Sequence, residues 1–279
     1  MTESVRRDGR PFIKMHGLRN HFVIVDVRND AWSPAVEEIV RICDVQTGVG
    51  ADQLILIEQA DSALAFMRIL NTDGREAEAC GNATRCVAWL LLEETGSDSV
   101  LLETRAGVLR CDRAGDQQVR CEMGKVSMDW QRIPLAAAED TLHLGIGAGE
   151  LQDPAAVNVG NPHAVFFVDD LDAIDIRTLG PVIQQNPVFP QQANVGIAQL
   201  LNNDRIRLVV FERGAGLTMA CGSGACAAVF AARARGLTTA AQVTVSLPGG
   251  DVQIEIRDDD VAVMTGPVAF SFAGMLYEP

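Results

Sequence analysis

Met219-Ala220-Cys221-Gly222-Ser223-Gly224-Ala225-Cys226 places a cysteine at the mouth of a glycine-rich turn that opens a long apolar helix. The same grammar occurs earlier, in Ala79-Cys80-Gly81-Asn82-Ala83-Thr84-Arg85-Cys86, before a helix-like run that ends at Gly96. Two thiols, each at a helix N-terminus, point to paired acid/base chemistry. The helix dipole and the free N–H groups of the first turn favour thiolate over thiol, drawing a free-cysteine pKa of about 8.5 toward working pH. The same N–H groups can hold a carboxylate.

The two boxes are separated by 141 residues, about half of the 279-residue chain, and other positions keep that spacing. Asn20 pairs with Asn161 and Asn71 with Glu212, while Gly124 and Gly266 lie 142 apart. Gly50-Ala51-Asp52-Gln53 and Gly196-Ile197-Ala198-Gln199 match at a larger offset, which predicts an insertion in the second half. A duplicated α/β chain follows, of the α+β type. Each pseudo-symmetric half is expected to be a mostly antiparallel sheet wrapped on one central helix, with the two cysteine turns facing across a cleft. The expected halves are residues 11–125, joined by a C-terminal strand at about 268–279, and residues 126–267. Residues 131–155, rich in Gly and Ala and poor in large apolar side chains, read as a linker or irregular excursion.

Local signals fill in the halves. Phe12 to His16 reads as a strand and Gly17-Leu18-Arg19-Asn20 as a turn, which puts Asn20 on a loop. Phe22-Val23-Ile24-Val25 is a buried-type strand, and Ser33-Pro34 with Glu37 and Glu38 reads as the cap of a helix running to Cys43. After a glycine turn at Gly48-Val49-Gly50, strands are expected over 53–58 and 65–70, the latter ending in the turn Asn71-Thr72-Asp73-Gly74. Short strands are also expected over 99–104, 107–112 and 118–123.

Composition narrows the function. A net charge of −14 without a cluster of Lys or Arg disfavours nucleic acid. No apolar run reaches the roughly 20 residues of a membrane span, and the N-terminus lacks a signal-peptide pattern, so a cytoplasmic location is expected. Seven cysteines, an odd number, in such a chain argue against a disulfide framework. The chain's two lysines, Lys14 and Lys125, leave few candidates for a Schiff base, and no dinucleotide or Walker-type phosphate loop is present.

Two thiols on opposite sides of one carbon can invert it, one removing the α-proton while the other donates from behind, and no cofactor is needed. So weak a carbon acid demands a site that excludes water and aims N–H dipoles at the carbanionic charge, which the turns at Gly81-Asn82 and Gly222-Ser223 can supply. Buried packing cysteines and a metal site are the rival readings. Cys86 and Cys226 follow their partners by six and five residues, rotated about 120–140° around the helix, which suits packing rather than shared ligation. His163 follows the turn Gly160-Asn161-Pro162, where a polar site role and a core role compete. Glu212-Arg213 would match the ammonium and carboxylate of an amino acid at the cleft, or form a surface ion pair. Asn71, Asn161 and Asn194 are turn-type residues whose placement beside the cysteine boxes marks them as ligand candidates.

Together these residues resemble the diaminopimelate epimerase family over nearly the whole chain. The likeness rests on Met15-His16-Gly17-Leu18-Arg19-Asn20, on Gly48 to Gln53, on Asn71-Thr72-Asp73-Gly74 leading to Cys80-Gly81-Asn82, and on Gly160-Asn161-Pro162-His163. It continues in Phe189-Pro190 with Asn194-Val195, Glu212-Arg213-Gly214-Ala215-Gly216 and Ala220-Cys221-Gly222-Ser223-Gly224. The resemblance implies a cofactor-independent, metal-free interconversion of LL- and meso-2,6-diaminopimelate, with Cys80 and Cys221 as the acid/base pair and His163 and Glu212 adjusting their ionisation. It implies substrate contacts from Asn20, Gln53, Asn71, Asn161, Asn194, Glu212 and Arg213, with Gly81-Asn82 and Gly222-Ser223 binding the carboxylate of the reacting centre. It also implies a homodimer formed near the C-terminal strand, where Phe272 stands in place of an expected tyrosine. Arg19-Asn20-His21 departs from the family's Gly-Asn-Asp, and Leu217 stands where many relatives carry glutamate. The alternatives are a racemase of another amino acid on the same scaffold, a small-molecule binding protein without turnover, and a thiol-redox protein.

Overall fold

A computed structural model describes residues 9–277. The chain divides into two compact units, residues 1–117 with 268–279 and residues 118–267. The first begins with β1 (Arg10–Gly17), β2 (Asn20–Asp26), α1 (Val36–Cys43), β3 (Gln53–Glu58), β4 (Ala65–Asn71), β5 (Glu76–Ala77), α2 (Gly81–Thr95), β6 (Ser99–Thr104) and β7 (Gly107–Gly115). The second holds β8 (Gln118–Lys125), β9 (Gly147–Ala148), β10 (Leu151–Gln152), β11 (Ala155–Asn158), β12 (Pro162–Phe167), α3 (Ile176–Gln184), β13 (Asn194–Asn202), β14 (Arg205–Glu212), β15 (Gly216–Leu217), α4 (Gly222–Ala234), β16 (Gln242–Leu247), β17 (Gly250–Ile256) and β18 (Val261–Pro267). The final strand, β19 (Ala269–Leu276), belongs to the first unit.

In the first unit the ladder runs β19-β1-β2-β3-β4-β6-β7, antiparallel except for β2 with β3 and β4 with β6. Helix α2 packs on β1, β2, β6 and β7, strands from both ends of that ladder, so the sheet curls around it. Its sequence suits that position. Ala83, Cys86, Val87, Ala88, Leu91 and Leu92 are buried on all sides, as a central helix requires, and a fully buried leucine contributes about 2 kcal/mol. The helix stops at Gly96, whose φ of 65° is left-handed and costs glycine little.

The second unit repeats the plan in the order β11-β12-β13-β14-β16-β17-β18-β8, with β12 parallel to β13 and β14 parallel to β16. Its central helix α4 is built from the small residues Gly, Ser, Ala and Cys over the first two turns, which lets the sheet approach closely. Gly224 marks the tightest point: a Cβ there would stand 2.9 Å from Val210 Cγ2 and 3.2 Å from Cys221 Sγ.

Several expectations require correction. From β2 to α2 and from β12 to α4 the duplication keeps one offset without an insertion. Phe22 stands opposite Gln53 in the first unit and His163 opposite Asn194 in the second, each pair offset by the same 141 residues, so Gln53 matches Asn194 rather than Gln199. Asn20 is the first residue of β2, paired with Gly17 across a two-residue hairpin of Leu18 and Arg19, because both turn residues adopt positive φ. Helix α1 is capped at Ala35, whose N–H donates to Glu38 Oε2, and not at Ser33-Pro34. Residues 131–155 are no linker: Ile133, Leu135, Leu144 and Leu151 are buried in the core of the second unit with Phe166 and Phe189. Strand β8, assigned from sequence to the first half, pairs with β18 in the second unit, where Cys121 lies opposite Met264.

Candidate active site

In the first unit Cys80 is the N-cap of α2, in extended conformation and half-buried. Its Sγ lies 3.7 Å from Asn20 Oδ1, to which Asn82 Nδ2 also donates at 3.1 Å. Asn20 in turn donates from Nδ2 to Asp52 Oδ2 at 2.9 Å, and the His21 backbone N–H donates to the same oxygen at 2.8 Å. On the other side, Arg85 Nη2 donates to Asn82 Oδ1 at 2.8 Å and its Nη1 to the Gly81 carbonyl at 3.3 Å, although Arg85 is fully buried. Gly17 makes this possible, since a Cβ there would stand 3.1 Å from the Arg85 guanidinium and 3.3 Å from Asn82 Cβ. Gln53 and Asn71, opposite each other across β3 and β4, are joined by a 2.9 Å bond from Nε2 to Oδ1.

In the second unit Cys221 is the N-cap of α4 and is buried, with Sγ 3.6 Å from Ser223 Oγ. Ser223 Oγ lies 3.0 Å from His163 Nε2, which also meets Asn161 Oδ1 at 2.9 Å. The same Nε2 stands 3.4 Å from the Asn194 Nδ2 amide, and the buried Nδ1 has no hydrogen-bond partner among the described residues. His163 is wholly buried within β12, which corrects its expected place outside an apolar strand. Asn194 holds the backbone of the next segment, donating to the Pro162 carbonyl at 3.3 Å and accepting from the Arg213 N–H at 2.8 Å. Glu212 accepts from the Thr218 hydroxyl, whereas the Arg213 guanidinium turns to the Gln191 carbonyl at 3.0 Å.

Burial governs the ionisation of this second cluster. It lowers His163 to about 3, helped by the Arg213 charge, so the imidazole is neutral at physiological pH. Burial pushes Cys221 well above the usual thiol range, and the neighbouring Glu212 carboxylate pushes it the same way, against the Ser223 hydroxyl and the Gly224 N–H, which favour the thiolate. Burial likewise raises Glu212, while its bonds from Thr218 and Cys221 pull it down. A thiol hydrogen-bonded to a carboxylate, with donors ready for the sulfur, can pass its proton to that carboxylate.

Sequence reasoning missed three participants. Asp52 stands inside the quoted Gly50 to Gln53 motif, Arg85 is a lone cation in an apolar helix, and Thr218 reaches Glu212 only because β15 folds back on β14. The signal for Arg85 was available, because a buried arginine always needs acceptors.

The family model for diaminopimelate epimerase matches residues 12–129 and 155–271. The chain belongs to the diaminopimelate epimerase family. Among curated members of that family, the Rhodospirillum centenum diaminopimelate epimerase is 51% identical over 271 residues, covering 96% of this chain and 93% of the relative. The Acidiphilium cryptum diaminopimelate epimerase is 51% identical over 267 residues, covering 96% of each. Among solved structures, a phenazine biosynthesis protein of the PhzF family from Bacillus anthracis has a TM-score of 0.71 at 16% identity, covering 97% of this chain and all of that one. At that identity it shows the fold alone. Membership of the diaminopimelate epimerase family makes the chain an isomerase.

Proposed function

We propose that the chain interconverts LL- and meso-2,6-diaminopimelate by a cofactor-independent, two-base proton transfer at the α-carbon, with Cys80 and Cys221 as the two bases. One thiolate takes the α-proton while the other thiol donates its proton to the opposite face, so the carbon is inverted and the two sulfurs exchange protonation states. The observation that carries this reading is that both cysteines cap the central helix of their own duplicated unit at equivalent positions. In this reading Glu212 accepts the Cys221 proton, neutral His163 aligns Ser223 toward that sulfur, and the turns at Gly81-Asn82 and Gly222-Ser223 hold the carboxylate of the reacting centre. Asn20, Gln53, Asn71, Asn161, Asn194 and Arg213 bind the remainder of the substrate. Residues 1–279 carry two lysines and no dinucleotide or Walker-type phosphate loop, and the proposed chemistry asks for no cofactor.

We further propose a cytoplasmic homodimer. Phe270, Phe272 and Met275 along β19, with Tyr277 beyond it, are about half exposed, more apolar surface than one strand ordinarily leaves to water. The deciding experiment is proton NMR of LL-diaminopimelate with reduced protein in D₂O, following loss of the α-proton signal, with L-histidine and L-proline in parallel. Exchange of diaminopimelate alone supports the reading. Exchange of another amino acid in its place moves the specificity, and no exchange by protein with free thiols overturns the reading in favour of a binding protein.

A further inference from the structure

The two helix-capping thiols are equipped differently although their units share one register. At the positions 141 residues after Asp52, Asn82 and Arg85 stand Ala193, Ser223 and Cys226. Only the first unit therefore has a chain of side chains running from a carboxylate, through two amides, to a buried guanidinium, and Cys80 sits against its middle.

The direction of that chain follows from its ends. A carboxylate only accepts and a guanidinium only donates. Asp52 therefore draws the Asn20 amide by its Nδ2, which leaves Oδ1 toward Cys80, and Arg85 draws the Asn82 amide by its Oδ1, which leaves Nδ2 to donate to that same Asn20 oxygen. Neither amide can turn over without facing donor to donor or acceptor to acceptor. An amide oxygen at 3.7 Å from sulfur accepts a bond from a thiol and repels a thiolate. At Cys221 the sulfur meets the Ser223 hydroxyl and the Gly224 N–H, both of which favour the thiolate.

We propose that Asp52 and Arg85 are positioning residues for Cys80: from the two ends of this chain they fix the Asn20 amide with its oxygen, not its N–H, toward the sulfur, and so keep Cys80 in its protonated, proton-donating form between turnovers. The assignment rests on the reading of Cys80 as one of the two acid/base thiols, and it adds a division of labour to it. The other titratable groups facing Asp52 are His21 on β2, with Nδ1 3.8 Å away, Lys14 on β1, whose Nζ donates to the Gly50 carbonyl, and Cys43 at the end of α1. None of these touches Asn20 Oδ1 in the described contacts, so the amide is the link between Asp52 and the thiol.

The test measures iodoacetamide alkylation of Cys80 in the full chain from pH 6 to 10, assigned by peptide mass spectrometry so that each cysteine is read separately. This readout does not depend on turnover, so it fails or succeeds apart from the epimerase reading. In the double variant Asp52→Ala/Asn82→Ala, which removes both the acceptor that holds Asn20 Nδ2 and the donor that holds its Oδ1, Asn20 is released to turn its N–H toward the sulfur. The pH of half-maximal Cys80 alkylation is expected to fall by about one unit, with the Cys221 profile unmoved. Asn20→Ala, which alters no charge, is expected to move it the same way by removing the acceptor. Loss of the Asp52 charge alone would also lower that pH, but such an effect is screened in 1 M salt, where the Debye length is about 3 Å. A shift that persists in 1 M salt supports the proposal; an unchanged profile in either variant, or a shift abolished by salt, overturns it.

Discussion

Thr218 donates its hydroxyl to Glu212 across the hairpin of β14 and β15, so the carboxylate next to Cys221 is held by a side chain six residues further on. That bond favours the charged form of a carboxylate that burial drives toward the neutral one. Thr218→Val removes the bond at nearly constant volume, and the Glu212 pKa rises further. Because the ionised carboxylate is the form that takes the Cys221 proton, activity falls as pH drops through that pKa. The acid limb of the kcat/KM profile is expected to move upward by roughly half to one pH unit. An unmoved acid limb would remove Glu212 from the proton path.

Cys80→Ala and Cys221→Ala are each expected to lower racemisation by on the order of 10³-fold or more while the circular dichroism spectrum stays native. Near-native turnover in either variant contradicts a two-base mechanism.

His163 titrates near 3 in the folded chain and near the ordinary 6.5 when unfolded. The unfolded chain therefore binds a proton that the native site refuses. The stability this contributes is complete above about pH 6.5 and is lost as pH falls toward 3. Thermal melts of His163→Gln are expected to fall less steeply over that window than those of the native chain, and imidazole NMR should show no His163 titration between pH 5 and 8.

Arg19 sits in the β1–β2 hairpin with φ of 66°, beside Leu18 at 55°. A non-glycine residue is strained there, and Arg19 is exposed, so no packing is lost on its removal. Arg19→Gly is expected to stabilise the fold by roughly 0.5–1 kcal/mol in urea denaturation, the relief of strain exceeding the entropy that glycine adds to the unfolded chain. A lower midpoint would mean that the hairpin does not feel this strain.

The duplicated Cys-Gly boxes, the helix ending at Gly96 and most strands were legible because they rest on local chemistry: glycine at positive φ, apolar runs between turn residues, and small residues opening a helix. The 141-residue repeat was legible too, but its register was misjudged at Gln53. Identical residues at Gln53 and Gln199 outweighed the true partner Asn194, and only the ladder of β12 with β13 restores the match. Residues 131–155 failed for a related reason, since their scattered apolar side chains carry no period until the fold gathers Ile133, Leu135, Leu144 and Leu151 into one core.

By itself the sequence determined that the chain holds two copies of one α/β unit, each with a thiol at the start of its central helix, since that information lies in composition and spacing along a single run. Tertiary structure alone decided how each thiol is furnished. Asp52, Asn20, Asn82 and Arg85 meet because β2, β3 and α2 converge, and Thr218 reaches Glu212 because β15 turns back. Hydrogen bonds are directional and short, so which donors and acceptors meet is a property of three-dimensional approach that no sequence spacing encodes.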